Sequence, residues 1–420
     1  VKVLLLGGGG REHALAWKLA QSPLLTKLWA APGSDAMEGL AERVALDPLD
    51  PAAVSAFITR LGVDLLFVGP EAPLAAGVCD AVRARGVAVF GPSKAASRLE
   101  TSKAFAKDFM KRHGIPTAAS RACSSPAQAK EAARYFGGRC AVKADGLAAG
   151  KGVVVCATLA EADAAIDALS ATQAGRTLVI EERIEGPEIT VMSLVSGGRC
   201  AVLPLSRDHK RLRDGDAGPN TGGMGAVAPV AVDPATWTLI SEQILDRTLS
   251  GLTRDGIDYR GALYAGVMLT SAGPRLLEYN ARFGDPETQA VLPLLDGDLL
   301  ALALSCANGT LAPGRLPAKA GAALAVTLAS PGYPEAPKPG SALDLNGVDQ
   351  ETDVLVFHAG TKRASGGWTA SGGRVLTVVG LGADAAAARA RAYAAVARLR
   401  APELHYRRDI GAAVPGRITA

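Results

Sequence analysis

Glu278, Asn280 and Arg282 stand two residues apart in the run Leu276-Leu277-Glu278-Tyr279-Asn280-Ala281-Arg282. Alternate side chains of an extended chain share a face. An acid, an amide and a guanidinium would therefore project together from one strand end. A carboxylate and an amide oxygen are hard ligands, the kind Mg²⁺ takes when it bridges nucleotide phosphates. Arg282 would meet a transferring phosphoryl group or an acyl phosphate through its forked donors. A solvated strand face closed by a salt bridge is the ordinary alternative. It explains poorly why three such different groups share a face.

Two glycine-rich turns invite an anion. Lys143-Ala144-Asp145-Gly146-Leu147-Ala148-Ala149-Gly150-Lys151-Gly152 runs from one strand-like segment to the next, as a flap does. Its glycines let the backbone bend over phosphates, and Lys143 supplies a point charge. It is not a Walker A loop, because the spacing from Gly146 to Lys151 is one residue short and no Ser or Thr follows the lysine. A plain flexible hairpin fits this loop equally well. Gly7-Gly8-Gly9-Gly10-Arg11-Glu12-His13 follows a strand and opens a helix, where backbone N–H groups and the helix dipole favour an anion. His13 stands where the dinucleotide fingerprint needs Gly or Ala, and no acid closes the run at 27–31, which excludes a nicotinamide oxidoreductase. A tight turn without ligand is the alternative here.

Three polar stretches are ambiguous alone. Asp208-His209-Lys210-Arg211 and Asn220-Thr221-Gly222-Gly223-Met224-Gly225 bring charges close to bare backbone amides, as any surface loop can. Glu181-Glu182-Arg183-Ile184-Glu185-Gly186 reads as a solvated strand end or, beside the flap, as an adenine-reading hinge.

The elements that must position these groups follow a βα rhythm at first. Apolar runs at 1–6, 63–68 and 87–90 alternate with helical patterns at 11–22, 52–61 and 74–85. Short buried strands between helices predict an open parallel sheet, whose ligands bind beyond the carboxyl ends of the strands. A helical bridge covers 94–118. A small αβ unit follows, with helices at 126–136 and 159–169 and strands at 140–143, 153–156 and 177–182. Strands at 188–195 and 200–205 lead to a polar loop over 207–226, a helix over 234–253 and strands at 261–270 and 275–279. Pro and Gly breakers at 310–319 suggest a boundary. Strands near 322–328, 352–358 and 375–379 and a helix at 383–398 close the chain.

Bulk composition excludes several classes. The 420 residues carry 45 basic and 41 acidic side chains, a net charge of +4, so nucleic acid gains little support. With 48% hydrophobic residues the chain can bury sizeable cores, and its length suits several domains. Six cysteines without C-x-x-C spacing and five histidines without H-x₃-H spacing make structural zinc improbable. No run reaches the length of a membrane span. The first residues read as a strand rather than a leader peptide, and Val1 reads as an alternative start, so a cytoplasmic location is expected.

Taken in order, these motifs resemble the ATP-grasp ligases and, among them, the phosphoribosylamine–glycine ligase family. The resemblance runs along essentially the whole chain. Its most specific element is Arg282-Phe283-Gly284-Asp285-Pro286-Glu287-Thr288-Gln289. The turn from Gly7 to His13, Gly91-Pro92-Ser93, Ser102-Lys103-Ala104-Phe105-Ala106-Lys107, Gly114-Ile115-Pro116-Thr117, the flap, Asn220 to Gly225, His358-Ala359-Gly360-Thr361 and Gly372-Gly373-Arg374-Val375 fall in the family's order. The resemblance implies a mixed α/β and α+β chain. A parallel-sheet pre-ATP-grasp domain would span 1–102, an ATP-grasp domain 103–318 with 121–184 as its smaller flap lobe, and a mixed C-terminal domain 319–420.

It also implies roles. Lys103 and Lys143 would touch ATP, and Asp145, Gly146, Gly150, Lys151 and Gly152 would cover its phosphates. Glu181, Glu182, Arg183 and Ile184 would read adenine, Glu188 would hold the ribose, and Lys210 and Asn220 would complete the nucleotide site. Arg183 stands where the family places a large apolar residue. Glu278 and Asn280 would ligate Mg²⁺ or Mn²⁺, and Arg282 would be catalytic. Gly8, Gly9, Gly10, Arg11, Glu12, Pro70 and Glu71 would hold 5-phosphoribosylamine, with Asp208 and Asp214 as candidates for the ammonium of glycine. The implied reaction phosphorylates glycine with ATP and passes the glycyl group to the amine, in a monomer that uses neither nucleic acid nor membrane. Another ATP-grasp carboxylate–amine ligase, or a nucleotide-responsive binding protein without turnover, is the alternative.

Overall fold

The computed structural model describes residues 1–147 and 152–412. Leu4, Leu5 and Leu6 are wholly buried, and a strand buried on both faces belongs inside a parallel sheet covered by helices. Lys2–Gly7 is indeed the central strand of five. The order is Glu42–Arg43, Lys27–Pro32, Lys2–Gly7, Leu65–Val68 and Ala88–Phe90, all parallel. Each such leucine contributes about 1.5–3 kcal/mol on burial. The helix Pro51–Leu61 starts where Asp50 accepts from the N–H groups of Ala52 and Ala53, satisfying donors that the first turn leaves open. The pattern at 74–85 is two helices, Glu71–Ala76 and Val78–Arg83. Gly77 divides them with φ +87°, a value that side chains with a Cβ resist.

The bridge over 94–118 also divides, into Lys94–Thr101 and Lys103–Arg112. Ser102 caps the second helix through the Phe105 N–H at 3.1 Å, and Asp145 accepts from Ala104 N at 2.7 Å. Beyond it, Ser120–Cys123, Leu178–Glu182, Cys140–Ala144 and Val153–Val155 form an antiparallel sheet in that order. The lobe has a core of its own, built on Val142, Ile166, Leu178 and Ile180. A larger sheet carries Gly273–Asn280, Arg260–Thr270, Glu188–Ser196, Arg199–Val202 and Gly314–Arg315. Its first two strands slip register between Gly266 and Val267, so Leu277 bulges just before Glu278.

A third sheet crosses the chain. Arg207–Asp208 and Gly225–Ala228 pair in one layer with Ala322–Ala329, Arg374–Gly382 and Val354–His358. The polar stretch over 207–226 is thus not a loop but four short strands, the other two being Arg211–Arg213 and Ala217–Asn220. Its backbone groups find partners in neighbouring strands, which composition alone does not reveal. The helix over 234–253 is three segments, with a wide π turn at Ser241–Asp246 between Pro234–Ile240 and Arg247–Arg254. The N-terminal helix Gly10–Leu19 touches the third sheet where the His358 N–H donates to His13 Nδ1 at 2.9 Å. No described helix is long and apolar enough to cross a membrane.

Candidate active site

A cleft of about 880 Å³ opens between the small lobe, the large sheet and the parallel sheet. Glu278, Asn280 and Arg282 line it from the end of Gly273–Asn280. Lys103 and Lys107 reach it from Lys103–Arg112, and Lys143 from Cys140–Ala144. Lys210 Nζ bridges two acids, 2.5 Å from Glu188 Oε1 and 3.2 Å from Glu278 Oε1. The Lys210 charge is the main reason Glu278 titrates at about 2, despite burial. Burial works against the charge of Lys210, but Glu188 and Glu278 hold its pKa well above the ordinary value.

Arg282 sits between two carboxylates, with Nη2 3.0 Å from Glu100 Oε1 and Nε 3.3 Å from Glu71 Oε2. Burial disfavours its charge, and Glu100 and Glu71 outweigh that and raise its pKa. Glu100 itself is raised by burial. With its nitrogen turned toward Glu100, Asn280 donates to Glu100 Oε1 at 3.2 Å and to Tyr279 O at 3.3 Å, which leaves its oxygen on the other side. Glu278 and Asn280 therefore offer one carboxylate and one amide oxygen, a donor set that suits a hard divalent cation. Among the described residues no three His, Cys, Asp or Glu side chains are placed to hold a metal ion by themselves, so phosphates and water would complete such a shell.

Arg11 lines the cleft and donates to Phe283 O at 3.2 Å. Glu12 lies behind it, 2.6 Å from Arg11 Nε, and accepts the Gly9 N–H at 2.9 Å. The anion at this turn is thus the protein's own carboxylate. Gly8 packs on Gly33, where a Cβ would meet the Gly33 carbonyl at 2.5 Å. Gly10 packs toward Gln289 and Ala359. Glu71 lines the cleft, and Pro70 is the residue before its helix.

In the flap, Asp145 faces the helix it caps, Gly146 O accepts from Lys103 at 3.4 Å, and Gly152 lines the cleft. Gly150 and Lys151 lie outside the described residues. The hinge residues Glu181, Glu182, Arg183 and Ile184 line the wall beside Glu188 and Asn220. Arg183 is paired with Glu185 at 3.1 Å. Asp208 lines the floor, and its Oδ1 has no hydrogen-bond partner among the described residues. Burial, then Glu287, pushes its pKa well up. Asp214, expected beside it, is exposed and accepts the Arg408 N–H at 2.8 Å, so it faces the C-terminal stretch instead.

Several lining residues were given no role in the sequence reading: Glu100, Lys107, Tyr264, Asp285 and Arg374. Lys107 had a signal, being one helical turn from Lys103 on the same face. Arg374 comes from the third sheet, 2.6 Å from Gly222 O and 2.8 Å from Asp285 Oδ2. No local pattern brings it to residue 285.

Family models described as phosphoribosylglycinamide synthetase match the chain in three parts, the N domain over residues 1–100, the ATP-grasp (A) domain over 101–288 and the C domain over 323–413. The phosphoribosylamine–glycine ligase of Mesorhizobium japonicum is 48% identical over 417 residues, covering 98% of each chain. The crystal structure of the phosphoribosylamine–glycine ligase of Thermotoga maritima superposes with a TM-score of 0.85 at 33% identity, over 98% of this chain and 100% of that one. The biotin carboxylase domain of the Hydrogenobacter thermophilus 2-oxoglutarate carboxylase shares the fold, with a TM-score of 0.74 at 17% identity over 96% of this chain and 91% of that one.

Proposed function

The chain belongs to the phosphoribosylglycinamide synthetase family, and from that premise we infer that it joins glycine to 5-phosphoribosylamine. The reaction uses ATP, passes through glycyl phosphate, and yields glycinamide ribonucleotide, ADP and phosphate for purine biosynthesis. The observation that carries this reading is the convergence of Glu278, Asn280 and Arg282 with Lys103 and Lys143 on one cleft.

The glycine carboxylate attacks the γ-phosphorus of ATP. The amine of phosphoribosylamine then attacks the acyl carbon and expels phosphate. A free carboxylate is a poor electrophile, and phosphorylation supplies its leaving group. Two anions must approach first, and the lysines and Arg282 offset their repulsion. Arg282, pinned by Glu71 and Glu100, is already oriented when negative charge moves to the transferring group. Glu278 and Asn280 would hold Mg²⁺ or Mn²⁺, and that ion supplies charge neutralisation at the nucleotide phosphates. Glu181 to Ile184 line the adenine end and Glu188 the ribose. Gly146, Leu147 and Gly152 border the phosphates, where the flap excludes water from the acyl phosphate. Arg11 and Glu71 face the phosphoribosylamine side, and Asp208 the glycine ammonium.

The division into 1–102, 103–318 with its lobe at 121–184, and 319–420 is proposed as the functional one, although the third sheet is shared across the last boundary. We further propose a cytoplasmic monomer that acts without nucleic acid or membrane, since the cleft already gathers the nucleotide-side and substrate-side residues named above. The test is ADP release from Mg²⁺-ATP with freshly generated phosphoribosylamine across single amino acids. Turnover with glycine alone is expected, and turnover with a different carboxylate would overturn the purine assignment.

A further inference from the structure

Two buried lysines share one buried carboxylate at the nucleotide end of the cleft. Glu181 is 2% exposed at its side chain; its Oε2 lies 2.9 Å from Lys107 Nζ and its Oε1 2.9 Å from Lys143 Nζ. Lys107 Nζ also donates to Thr117 Oγ1 at 2.7 Å, and Thr117 Oγ1 donates to Leu276 O at 2.6 Å. Leu276 is two residues before Glu278, and its own N–H donates to Pro116 O at 2.8 Å. A continuous chain of polar contacts thus runs from the strand carrying Glu278, through Thr117 and Lys107, to Glu181 in the small lobe.

We propose that Lys107 is a positioning residue for the nucleotide: it holds the Glu181 carboxylate against Thr117 and so leaves Lys143 able to exchange that carboxylate for phosphate. This rests on the reading of Lys143 as a phosphate ligand. The argument is electrostatic. Lys107 and Lys143 repel one another across the carboxylate they share, and each holds the other off it. With one removed, the remaining pair is tighter, the more so away from water. Lys107 lines the cleft, but its ammonium is already engaged by Thr117 and Glu181. Burial and the Lys143 charge push Lys107 down to about 8 against the pull of Glu181. The Glu181 carboxylate then serves the lysines, and the hinge backbone serves the base.

The experiment compares binding of ADP in Mg²⁺ buffer with binding of adenosine, by calorimetry, in the wild type, Lys107→Met and Lys107→Arg. Lys107→Met is expected to weaken ADP about tenfold, by tightening Glu181 on Lys143, and to leave adenosine within about twofold. Lys107→Arg, which keeps the charge, is expected to recover most of the loss. Equal weakening of both ligands would mean a merely structural lysine, and unchanged ADP binding would mean no role; either overturns the proposal. If Lys107→Met does not fold, Thr117→Val takes its place. It loosens Lys107 without removing charge, and selective weakening of ADP is again the expected result. ADP release by the wild type with glycine, measured in parallel, separates the two readings. A wild type that binds ADP but turns over no glycine sinks the ligase assignment and not the lysine exchange.

Discussion

Arg282 and Glu100 form an ion pair at 3.0 Å that joins the end of the strand Gly273–Asn280 to the helix Lys94–Thr101. Glu100 is 182 residues earlier in the chain, and its carboxylate also accepts the Ala281 N–H at 2.8 Å. The pair both anchors the strand end and aims the guanidinium into the cleft.

Arg282→Ala should therefore lower kcat by about 10²–10³-fold, the cost of losing a donor aimed at developing charge. It should also lower thermal stability, because Glu100 is left buried without its cation. Adding Glu100→Gln should recover stability and leave kcat low. Steady-state ADP release and thermal melts read the two effects separately, and near wild-type turnover of Arg282→Ala would refute the catalytic role.

Glu278→Gln keeps the shape of the side chain and removes the charge that pairs with Lys210. We expect the Mg²⁺ concentration for half-maximal activity to rise by about tenfold, as for loss of one hard anionic ligand. A metal titration identical to the wild type would count against ligation.

Asp208 is half-buried near Glu287, with its buried Oδ1 unpartnered among the described residues, an arrangement that an ammonium group would relieve. Asp208→Asn should raise the KM for glycine by about tenfold, the scale of a charge-assisted hydrogen bond. The KM for ATP should stay within about twofold. A parallel rise of both constants would point to a distorted cleft instead.

His13 and His358 make the protein acid-sensitive. Burial lowers His13 to about 4 and His358 to about 3. The unfolded chain takes up protons near the ordinary value of about 6.5, before the folded chain does. Their contribution to stability is complete above that pH and is lost as pH falls through the folded values. Each histidine should cost about 2 kcal/mol between pH 7 and pH 5. His13→Asn should flatten that dependence in denaturant unfolding, and an unchanged slope would dismiss the effect.

What the sequence made legible was what it encodes locally. The apolar run ending in Leu4 to Leu6 marked a parallel strand, and the pattern over 52–61 marked a helix. The alternation of Glu278, Asn280 and Arg282 put three unlike polar groups on one strand end, and that end lines the cleft. What it hid depends on remote partners. Glu71 and Glu100 meet at Arg282, and Arg374 meets Asp285, only because separate sheets bring them together. Nor did motif position reveal that the carboxylates of Asp145 and Asp214 accept the N–H groups of Ala104 and Arg408. The polar run at 207–226 looked like a loop because its strands pair with segments the local pattern cannot see.

The third sheet has a further consequence for how the protein is made. Gly225–Ala228 is buried throughout, and its neighbour in that sheet is Ala322–Ala329. The ribosome delivers the first of these strands roughly 95 residues before the second, a delay of about 5–20 s at ordinary rates of synthesis. For that interval an apolar strand edge has no cover. An uncovered apolar strand is open to mispairing for that time, and a translational pause near residue 320 would prolong that exposure.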